Sequence, residues 1–375
     1  MMFQRITGFI AALAVLCPAC SATVQHAAGD AKEDIIVRVG GSAPVESVSL
    51  DVQSLTLPLG ESAVLSATVI PAGADVEWTS TDPSVASVSG GVVEARSVGE
   101  AVIVAGAGLK TAQCRVSVTG TFCQENVQVF SQAMGKNVGT IVILPGIATA
   151  GSPPACPVVY LLHGAYAKPS DWFRVRPDLG ALADKYGFIF VLPDGAMSWY
   201  VDSPVDKDIR YETFTAVELV EYIDAHYPTI ASRSGRAITG MSMGGHGAMY
   251  LALRHAGTFG AVGSMSGCLD FRRSEALYSI LDPVLGSHQG GIDSWGAYTA
   301  IEQIGRIKDG ELAIIIDCGS EDFVLECTTV FHDALQQAGI SHDYELRPGV
   351  HDDNFWHDST PKHLDFFQNY FKTNN

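Results

Sequence analysis

The pattern of hydrophobic positions along the chain changes character near Gly120. Between residues 45 and 119, apolar and polar residues alternate in short runs, and turns containing Gly or Pro separate the runs. A period of two with turns at this spacing is typical of an all-β sandwich. The pattern therefore predicts a small all-β domain over residues 44–119.

From Thr121 onward, short apolar runs alternate with segments of helical period. Predicted strands lie at residues 127–131, 140–144, 157–162, 188–192, 236–239, 261–265, 312–317 and 343–347, and predicted helices at residues 179–186, 215–227, 245–255, 328–338 and 363–370. Strands that alternate with helices predict a mostly parallel sheet covered on both faces. We therefore expect an α/β domain over residues 120–375, with its site at the carboxyl ends of the strands.

The first residues carry Arg5, then an apolar run from Phe9 to Leu16, then small residues. This order is typical of a secretory signal peptide, and the run is too short for a stable membrane span. We expect a signal over residues 1–22, a polar linker over 23–43, and an exported protein that is periplasmic, held at the cell surface or secreted. Cleavage after Ala22 and a lipid anchor at Cys20 both stay open.

Composition excludes some classes of partner. The formal net charge of −18 argues against nucleic acid and against anionic membrane surfaces. The spacings of cysteines and histidines fit no metal-binding pattern, so we expect no metal and no cofactor. The sequence leaves open whether Cys318 and Cys327 form a disulfide bridge or are buried free thiols. Cys114 alternates with valines and is expected to be a core position of a strand.

A candidate nucleophile lies in the stretch Gly240-Met241-Ser242-Met243-Gly244, which has the form G-x-S-x-G. A predicted strand precedes it and a predicted helix follows it. In that context the motif forms a strained strand-to-helix turn that exposes the serine hydroxyl. The alternative is a glycine-rich turn with an incidental serine, and the candidate partners downstream favour the nucleophile.

A serine hydroxyl needs a base, and in folds of this kind the acid and then the histidine follow the nucleophile. After the next-to-last strand, Asp317, Glu321 and Asp322 are candidate acids. We favour Asp322, because it lies in the loop, whereas Asp317 at the strand end is expected to be structural. His351 follows the last strand through a Pro-Gly turn and is the favoured base, with His357 as its rival.

The tetrahedral intermediate of acyl transfer needs two donors for its oxyanion. One candidate is the N–H of Met243, directly after the nucleophile. The other is the N–H of Ala165, in the loop after the strand that ends in His163-Gly164. A simple tight turn is the alternative interpretation of that His-Gly pair.

Seven segments carry a resemblance to a known family: YLLHGAYAKPSDWF, FIFVLPDG, SWYVDSP, ITGMSMGGHGAMYLALRH, FGAVGSMSG, DCGSEDFVLE and PGVHDDNFW. With them, residues 122–371 resemble the esterase D-like group of α/β-hydrolases. That group includes carbohydrate esterase family 1 (feruloyl and acetylxylan esterases), S-formylglutathione hydrolases and mycolyltransferases. The resemblance implies a nucleophile at Ser242, an acid at Asp322, a base at His351, and oxyanion donors at Ala165 and Met243.

One departure from the family pattern concerns the oxyanion loop. Many feruloyl esterases of the group continue the His-Gly pair with two more glycines, whereas this chain has Ala165-Tyr166-Ala167. The detailed shape of the loop is therefore open, although its backbone donors are not affected.

The all-β stretch resembles bacterial immunoglobulin-like domains of group 2. The match is carried by VSLDVQSLTLPLGES and by VEWTSTDPSVASVSGGVVEARSVGEAVIVA. It implies a spacer or adhesion module, and the sequence does not identify its partner.

Taken together, these features predict an exported serine esterase that removes feruloyl or acetyl groups from plant polysaccharide through an acyl-enzyme. Tyr166, Trp199, Tyr200 and Trp356 are candidates for contact with the substrate, although aromatic residues are more often core residues. Two alternatives are a general short-chain carboxylesterase and a non-catalytic adhesion protein. A complete set of Ser, Asp and His argues against the second.

Overall fold

The computed structural model describes residues 21–23, 38–40, 44–149 and 153–374. Residues 1–20 of the predicted signal, which include Cys20, lie outside the described residues. Strand β1 (Ser21–Thr23) pairs antiparallel with β2 (Arg38–Gly40), so part of the expected linker forms a strand. Among the described helices, none combines the length and the apolar character that crossing a bilayer requires.

The next region is all-β, as the alternating pattern predicts. Its strands are β3 (Ser47–Leu50), β4 (Ser54–Pro58), β5 (Ser62–Val64), β6 (Ala67–Ile70), β7 (Glu77–Ser80), β8 (Ala86–Ser89), β9 (Val92–Ala95), β10 (Gly99–Ala107) and β11 (Lys110–Thr119). They form sheets of order β4-β11-β10-β7, β3-β6 and β5-β9-β8. Ile103, Cys114 and Val116 are fully buried between them, which confirms the core position expected for Cys114.

The rest of the chain alternates strands and helices. Its strands are β12 (Cys123–Ser131), β13 (Lys136–Leu144), β14 (Val158–Leu162), β15 (Ile189–Pro193), β16 (Arg236–Gly240), β17 (Ala261–Met265), β18 (Ala313–Gly319) and β19 (Asp343–Arg347). Its α-helices are α1 (Trp172–Val175), α2 (Leu179–Tyr186), α3 (Tyr211–Thr213), α4 (Leu219–His226), α5 (Met243–Arg254), α6 (Tyr278–Leu285), α7 (Leu325–Gln337) and α8 (Asp353–Asn374). A π-helical turn, Phe214–Glu218, joins α3 to α4. Short 3₁₀ helices lie at Gly146–Thr149, Pro169–Asp171, Arg233–Gly235, Phe271–Arg273, Glu275–Leu277, His288–Gly290, Asp293–Tyr298 and Ile301–Arg306.

These strands form one sheet of order β12-β13-β15-β14-β16-β17-β18-β19. The pairs from β15 to β19 are parallel, and β12 and β13 add an antiparallel edge. Alternate side chains of a strand point to opposite faces. Accordingly, Tyr160 of β14 packs in the same core as residues of α4, α5 and α7, whereas Leu161 packs with residues of α2 and α8. The predicted parallel sheet with two covered faces is confirmed.

The last helix is longer than its sequence pattern predicts. It begins at Asp353 rather than near residue 363, and Pro361 lies inside it. A proline commonly marks the first turn of a helix, and the residues before this one are mostly polar. Nevertheless Phe355 and Ser359 are buried on its inner face, so the packing against the sheet extends the helix upstream.

The cysteines of residues 44–374 are all free in this structure, so Cys318 and Cys327 are not bridged. Within the described residues, no group of three His, Cys, Asp or Glu side chains is arranged to hold a metal ion.

His246, in the first turn of α5, is a fully buried imidazole. Its Nε2–H donates a 3.0 Å hydrogen bond to the carbonyl oxygen of Tyr298, and its ring packs edge-on against Trp199. Burial lowers the pKa of His246 to about 4, because a charged imidazolium would lose its hydration there. The folded protein therefore holds this side chain neutral.

We expect this burial to make the fold sensitive to mild acid. Between pH 7 and pH 5 the unfolded chain binds a proton at His246 that the native chain does not bind, so the free energy of unfolding falls by about 2 kcal/mol. Urea unfolding at the two pH values measures the difference. The variant His246→Gln should lose it, whereas His226→Gln, at an exposed site, should keep it. An unchanged difference in His246→Gln would contradict this assignment.

Candidate active site

The turn between β16 and α5 places Ser242 in a strained backbone conformation, with φ 57° and ψ −119°. The glycines on either side make this turn possible. A Cβ added at Gly244 would lie 2.3 Å from the backbone oxygen of Leu162, and one at Gly240 would lie 2.5 Å from the backbone of Gly244. Since both contacts are with backbone atoms that cannot move away, only glycine fits, and the predicted strand-turn-helix arrangement is present.

Three of the sequence-predicted side chains form one chain of hydrogen bonds. The hydroxyl of Ser242 lies 2.8 Å from Nε2 of His351, and Nδ1 of His351 lies 2.9 Å from both carboxylate oxygens of Asp322. An ionised carboxylate only accepts hydrogen bonds, so Nδ1 carries the proton. Nε2 then accepts a hydrogen bond from the Ser242 hydroxyl, which is the geometry in which a histidine can activate a nucleophile.

The loop after β18 fixes the carboxylate of Asp322. Its side chain has no exposure to solvent, and its Oδ1 accepts a 3.0 Å hydrogen bond from the N–H of Val324. The imidazole of His351 is held from two sides, by the ring of Phe323 at 4.6 Å and by the edge-on ring of Trp356 at 5.1 Å. These contacts restrict the rotation of both partners of the serine.

The rival candidates lie elsewhere. Asp317 is buried and paired with Arg347 at 2.9 Å, so it is not part of the chain of hydrogen bonds that includes Ser242. Glu321 is exposed to solvent. His357 is half exposed and lies on α8, where it contacts Asp358 and Arg176 instead of the serine.

The two predicted oxyanion donors belong to segments next to the nucleophile. Met243 is the first residue of α5, and the first N–H groups of a helix have no partner within the helix. Gly164 packs so closely on Ser242 that an added Cβ would lie 3.4 Å from the serine Cβ, and Ala165 follows it directly. Ala165 and Ser242 line the same cavity.

His163 has a positioning role that the sequence interpretation did not assign. Its buried ring accepts a 2.8 Å hydrogen bond from the N–H of Gly195, and its Nδ1–H donates to the carbonyl oxygen of Gly164. The ring therefore ties the loop that carries Ala165 to the loop after β15. The sequence could have indicated this contact, because His163 and Gly195 each follow a predicted buried strand. The carboxyl ends of parallel strands lie at the same edge of a sheet.

Ser242 and His351 lie at a cavity of about 450 Å³ whose walls are mainly apolar. Tyr166, Trp199 and Trp356 line it, as do Leu277, Ile280 and Phe323. Tyr166 is 79% exposed at the mouth, whereas Trp199 is 2% exposed and forms part of the wall. Three of the four aromatic residues predicted for substrate contact therefore border the cavity.

The fourth, Tyr200, does not. It is fully buried, and its hydroxyl donates a 3.2 Å hydrogen bond to the carbonyl oxygen of His163. Its ring fills the space between Gly195 and Gly247, where an added Cβ would lie within 2.4 Å of it. The expectation of substrate contact is wrong for Tyr200, because the residue packs beneath the site.

Comparison with known families agrees with this architecture. The profile of the "Putative esterase" family matches residues 131–367, which is more than half of the chain. The chain belongs to this esterase family. The profile of the bacterial Ig-like domain (group 2) matches residues 44–116. The resemblance inferred from the motifs is thereby confirmed, and the fold is an α/β-hydrolase preceded by an Ig-like domain.

Curated relatives include "Esterase Rv1288" of Mycobacterium tuberculosis, which is 30% identical over 250 residues that make up 59% of this chain and 54% of the relative. The chain thus spans about half the length of that protein. An "Acetyl esterase" of Caldicellulosiruptor saccharolyticus is 26% identical over 247 residues, covering 61% of this chain and 92% of the relative.

Among solved structures, a ferulic acid esterase is similar with a TM-score of 0.56 and 26% identity, covering 68% of this chain and 99% of that one. An S-formylglutathione hydrolase of Agrobacterium tumefaciens shares the fold, with a TM-score of 0.58 and 21% identity over 66% of this chain and 95% of that one. The family, the curated relatives and the ferulic acid esterase support a carboxylic ester hydrolase.

We expect Asp322→Asn to leave the fold intact and to lower kcat by roughly 10⁴-fold, because an amide favours the wrong tautomer of His351. Hydrolysis of p-nitrophenyl acetate and a thermal melt measure the two effects. Asp317→Asn is the matched control, and it should lower the melting temperature much more than kcat. A large loss of kcat in Asp317→Asn together with a small one in Asp322→Asn would contradict the assignment.

Proposed function

We propose that the protein is an exported serine esterase that releases feruloyl groups from plant cell-wall polysaccharide. The observation that carries the proposal is the continuous hydrogen-bonded chain from Ser242 through His351 to Asp322, at the mouth of an apolar cavity. This arrangement suits acyl transfer, since it joins an activated hydroxyl to a pocket for the acyl group.

In the first half of the reaction, the Ser242 oxygen attacks the acyl carbon and its proton passes to Nε2 of His351. The oxyanion that forms accepts hydrogen bonds from the N–H groups of Ala165 and Met243. Asp322 stabilises the imidazolium, and His351 then gives the proton to the leaving alcohol oxygen. The product of this half is an ester between the acyl group and Ser242.

In the second half, a water molecule takes the place of the alcohol. His351 removes a proton from the water as its oxygen attacks the acyl carbon of the acylated Ser242. Collapse of the second tetrahedral intermediate returns the proton to the serine oxygen and releases the carboxylic acid. The same histidine therefore serves as base and then as acid in each half.

The walls of the cavity support an aromatic acyl group. Trp356, Phe323 and Ile280 offer flat or branched apolar surface, on which a feruloyl ring is stabilised by burial and by aromatic contact. An acetyl group offers only a methyl to the same walls. The similarity to the ferulic acid esterase points in the same direction, while the relative named as an acetyl esterase makes the acetyl group the principal competitor.

We further propose that the Ig-like domain ends near Thr119 and serves as a spacer that presents the catalytic domain to a polymer. Each residue proposed for chemistry lies after Thr121, which supports this division. An exported protein with a spacer is suited to an insoluble or surface-bound substrate, and the signal-like N-terminus supports export.

Two methyl esters with the same leaving group test the acyl preference. We expect the kcat/KM for methyl ferulate to exceed that for methyl acetate by roughly tenfold or more, because the ring gains contacts in the transition state. Tyr166→Ala, which removes an aromatic wall at the mouth, should reduce this ratio. Phe130→Ala is the matched control, since Phe130 is an exposed aromatic residue on β12 that does not line the cavity.

Feruloylated arabinoxylan is the polymer arm of the same experiment, and released ferulate is the readout. Efficient cleavage of methyl acetate with no release of ferulate from either substrate would reject the feruloyl assignment in favour of a general short-chain esterase. Absence of hydrolysis of every ester would reject the esterase mechanism itself.

A further inference from the structure

Two buried cysteines that the esterase mechanism does not use lie in contact beside the catalytic cavity. The Sγ atoms of Cys268 and Cys327 are 2.6 Å apart, and the two residues are 2% and 1% exposed. Fifty-nine positions separate them in the chain, so the contact is a product of the fold. Sulfur atoms at this separation need only a small rotation about the Cα–Cβ bonds to join.

Cys268 lies in the loop that supports the nucleophile. This loop follows β17, whose last residue, Met265, accepts a 2.9 Å hydrogen bond from the N–H of Ser242. Gly267 packs directly on the first turn of α5, since an added Cβ there would lie 2.9 Å from the backbone nitrogen of His246. Cys268 itself lines the catalytic cavity.

Cys327 lies in the first turn of α7, shortly after the catalytic-acid candidate Asp322. The next residue, Thr328, already contacts the opposite loop through a 3.0 Å hydrogen bond from its hydroxyl to the carbonyl oxygen of Gly267. The contact between the cysteines therefore joins the segment that carries the acid to the segment that supports the nucleophile.

We propose that Cys268 and Cys327 form a disulfide bond in the mature protein, and that this bond clamps the acid-bearing loop against the nucleophile turn. The oxidant is a disulfide such as oxidised glutathione. One cysteine thiolate attacks it and releases one glutathione, and the second cysteine thiolate displaces the other glutathione from the mixed disulfide. The two cysteine S–H bonds and the S–S bond of oxidised glutathione break. One protein S–S bond and two glutathione S–H bonds form. The cysteines are thereby oxidised, and the glutathione disulfide is reduced.

The burial of both thiols determines when the bond forms. Burial raises the pKa of the Cys268 thiol well above its usual value, and the neighbouring Cys327 raises it further. Because the thiolate is the reactive species and the site excludes solvent, exchange in the folded protein is slow. The bond therefore forms during folding, before α7 closes over the loop, and once formed it resists reductants in the absence of denaturant.

The test begins with the full chain refolded in a buffer of reduced and oxidised glutathione. Free thiols are then alkylated in denaturant, and the protein is digested without reductant for mass spectrometry. We expect one cross-linked peptide pair containing Cys268 and Cys327, with Cys318 alkylated. A reduced sample, refolded with a phosphine reductant, should melt roughly 5–15 °C lower.

Three variants separate the cross-link from simple packing. Cys268→Ser and Cys327→Ala should melt at the same temperature whether refolded oxidised or reduced. Cys318→Ala removes a buried thiol at the end of β18 but spares the pair, so it should keep the full difference between the two samples. Alkylation of both Cys268 and Cys327 in the oxidised sample, or a cross-link from Cys327 to Cys318, would overturn the proposal. A difference in melting temperature between the oxidised and reduced samples that persists in Cys327→Ala would also overturn the proposal.

Discussion

The backbone conformation of Ser242 determines the geometry of the candidate active site. A non-glycine residue at φ 57° costs on the order of 1–3 kcal/mol, and it persists only where the surroundings determine it. Here Gly240 and Gly244 allow the turn to pack against Leu162 with no room for a side chain. The folding energy of the buried sheet offsets the strain, and the result is a hydroxyl that projects towards His351.

The strain is not confined to the nucleophile. Within the described residues, the other non-glycine positions with positive φ are Tyr166, Ala196, Trp199, Tyr200 and Ser266. All of them lie in the loops that follow β14, β15 and β17, at the same end of the sheet as Ser242. Unusual backbone geometry thus concentrates where the chain must present donors and cavity walls, and the fully buried strands beneath supply the stability that supports it.

A largely buried polar cluster joins the ends of three strands below the site. Thr239, His363, Asp317 and Arg347 form it, with contacts of 2.9 Å between Thr239 and His363, 3.3 Å between His363 and Asp317, and 2.9 Å between Asp317 and Arg347. Thr239, Asp317 and Arg347 lie shortly before Ser242, Asp322 and His351 in the chain. A single cluster therefore links the three strands that carry the catalytic candidates.

Local pattern predicted most of the strands and helices and the candidates Ser242, Asp322 and His351, because buried strands and the G-x-S-x-G turn have strong local signals. Contacts between distant residues had no such signal. The burial of Tyr200 depends on Gly195 and Gly247 leaving space for its ring, and the contact of Cys268 with Cys327 depends on how α7 docks. The sequence did not predict the start of α8, because the residues before Pro361 are mostly polar. Their helical conformation depends on packing against the sheet, which buries Phe355 and Ser359.

Covalent labelling can determine whether His351 activates Ser242 for attack. The full chain, treated with diethyl p-nitrophenyl phosphate, should release one equivalent of nitrophenol and carry the diethylphosphoryl group on the peptide that contains Ser242. His351→Ala should label at least roughly a hundredfold more slowly, because the general base is lost. Labelling at another residue, or an unchanged rate in His351→Ala, would contradict the roles of Ser242 as nucleophile and His351 as its base.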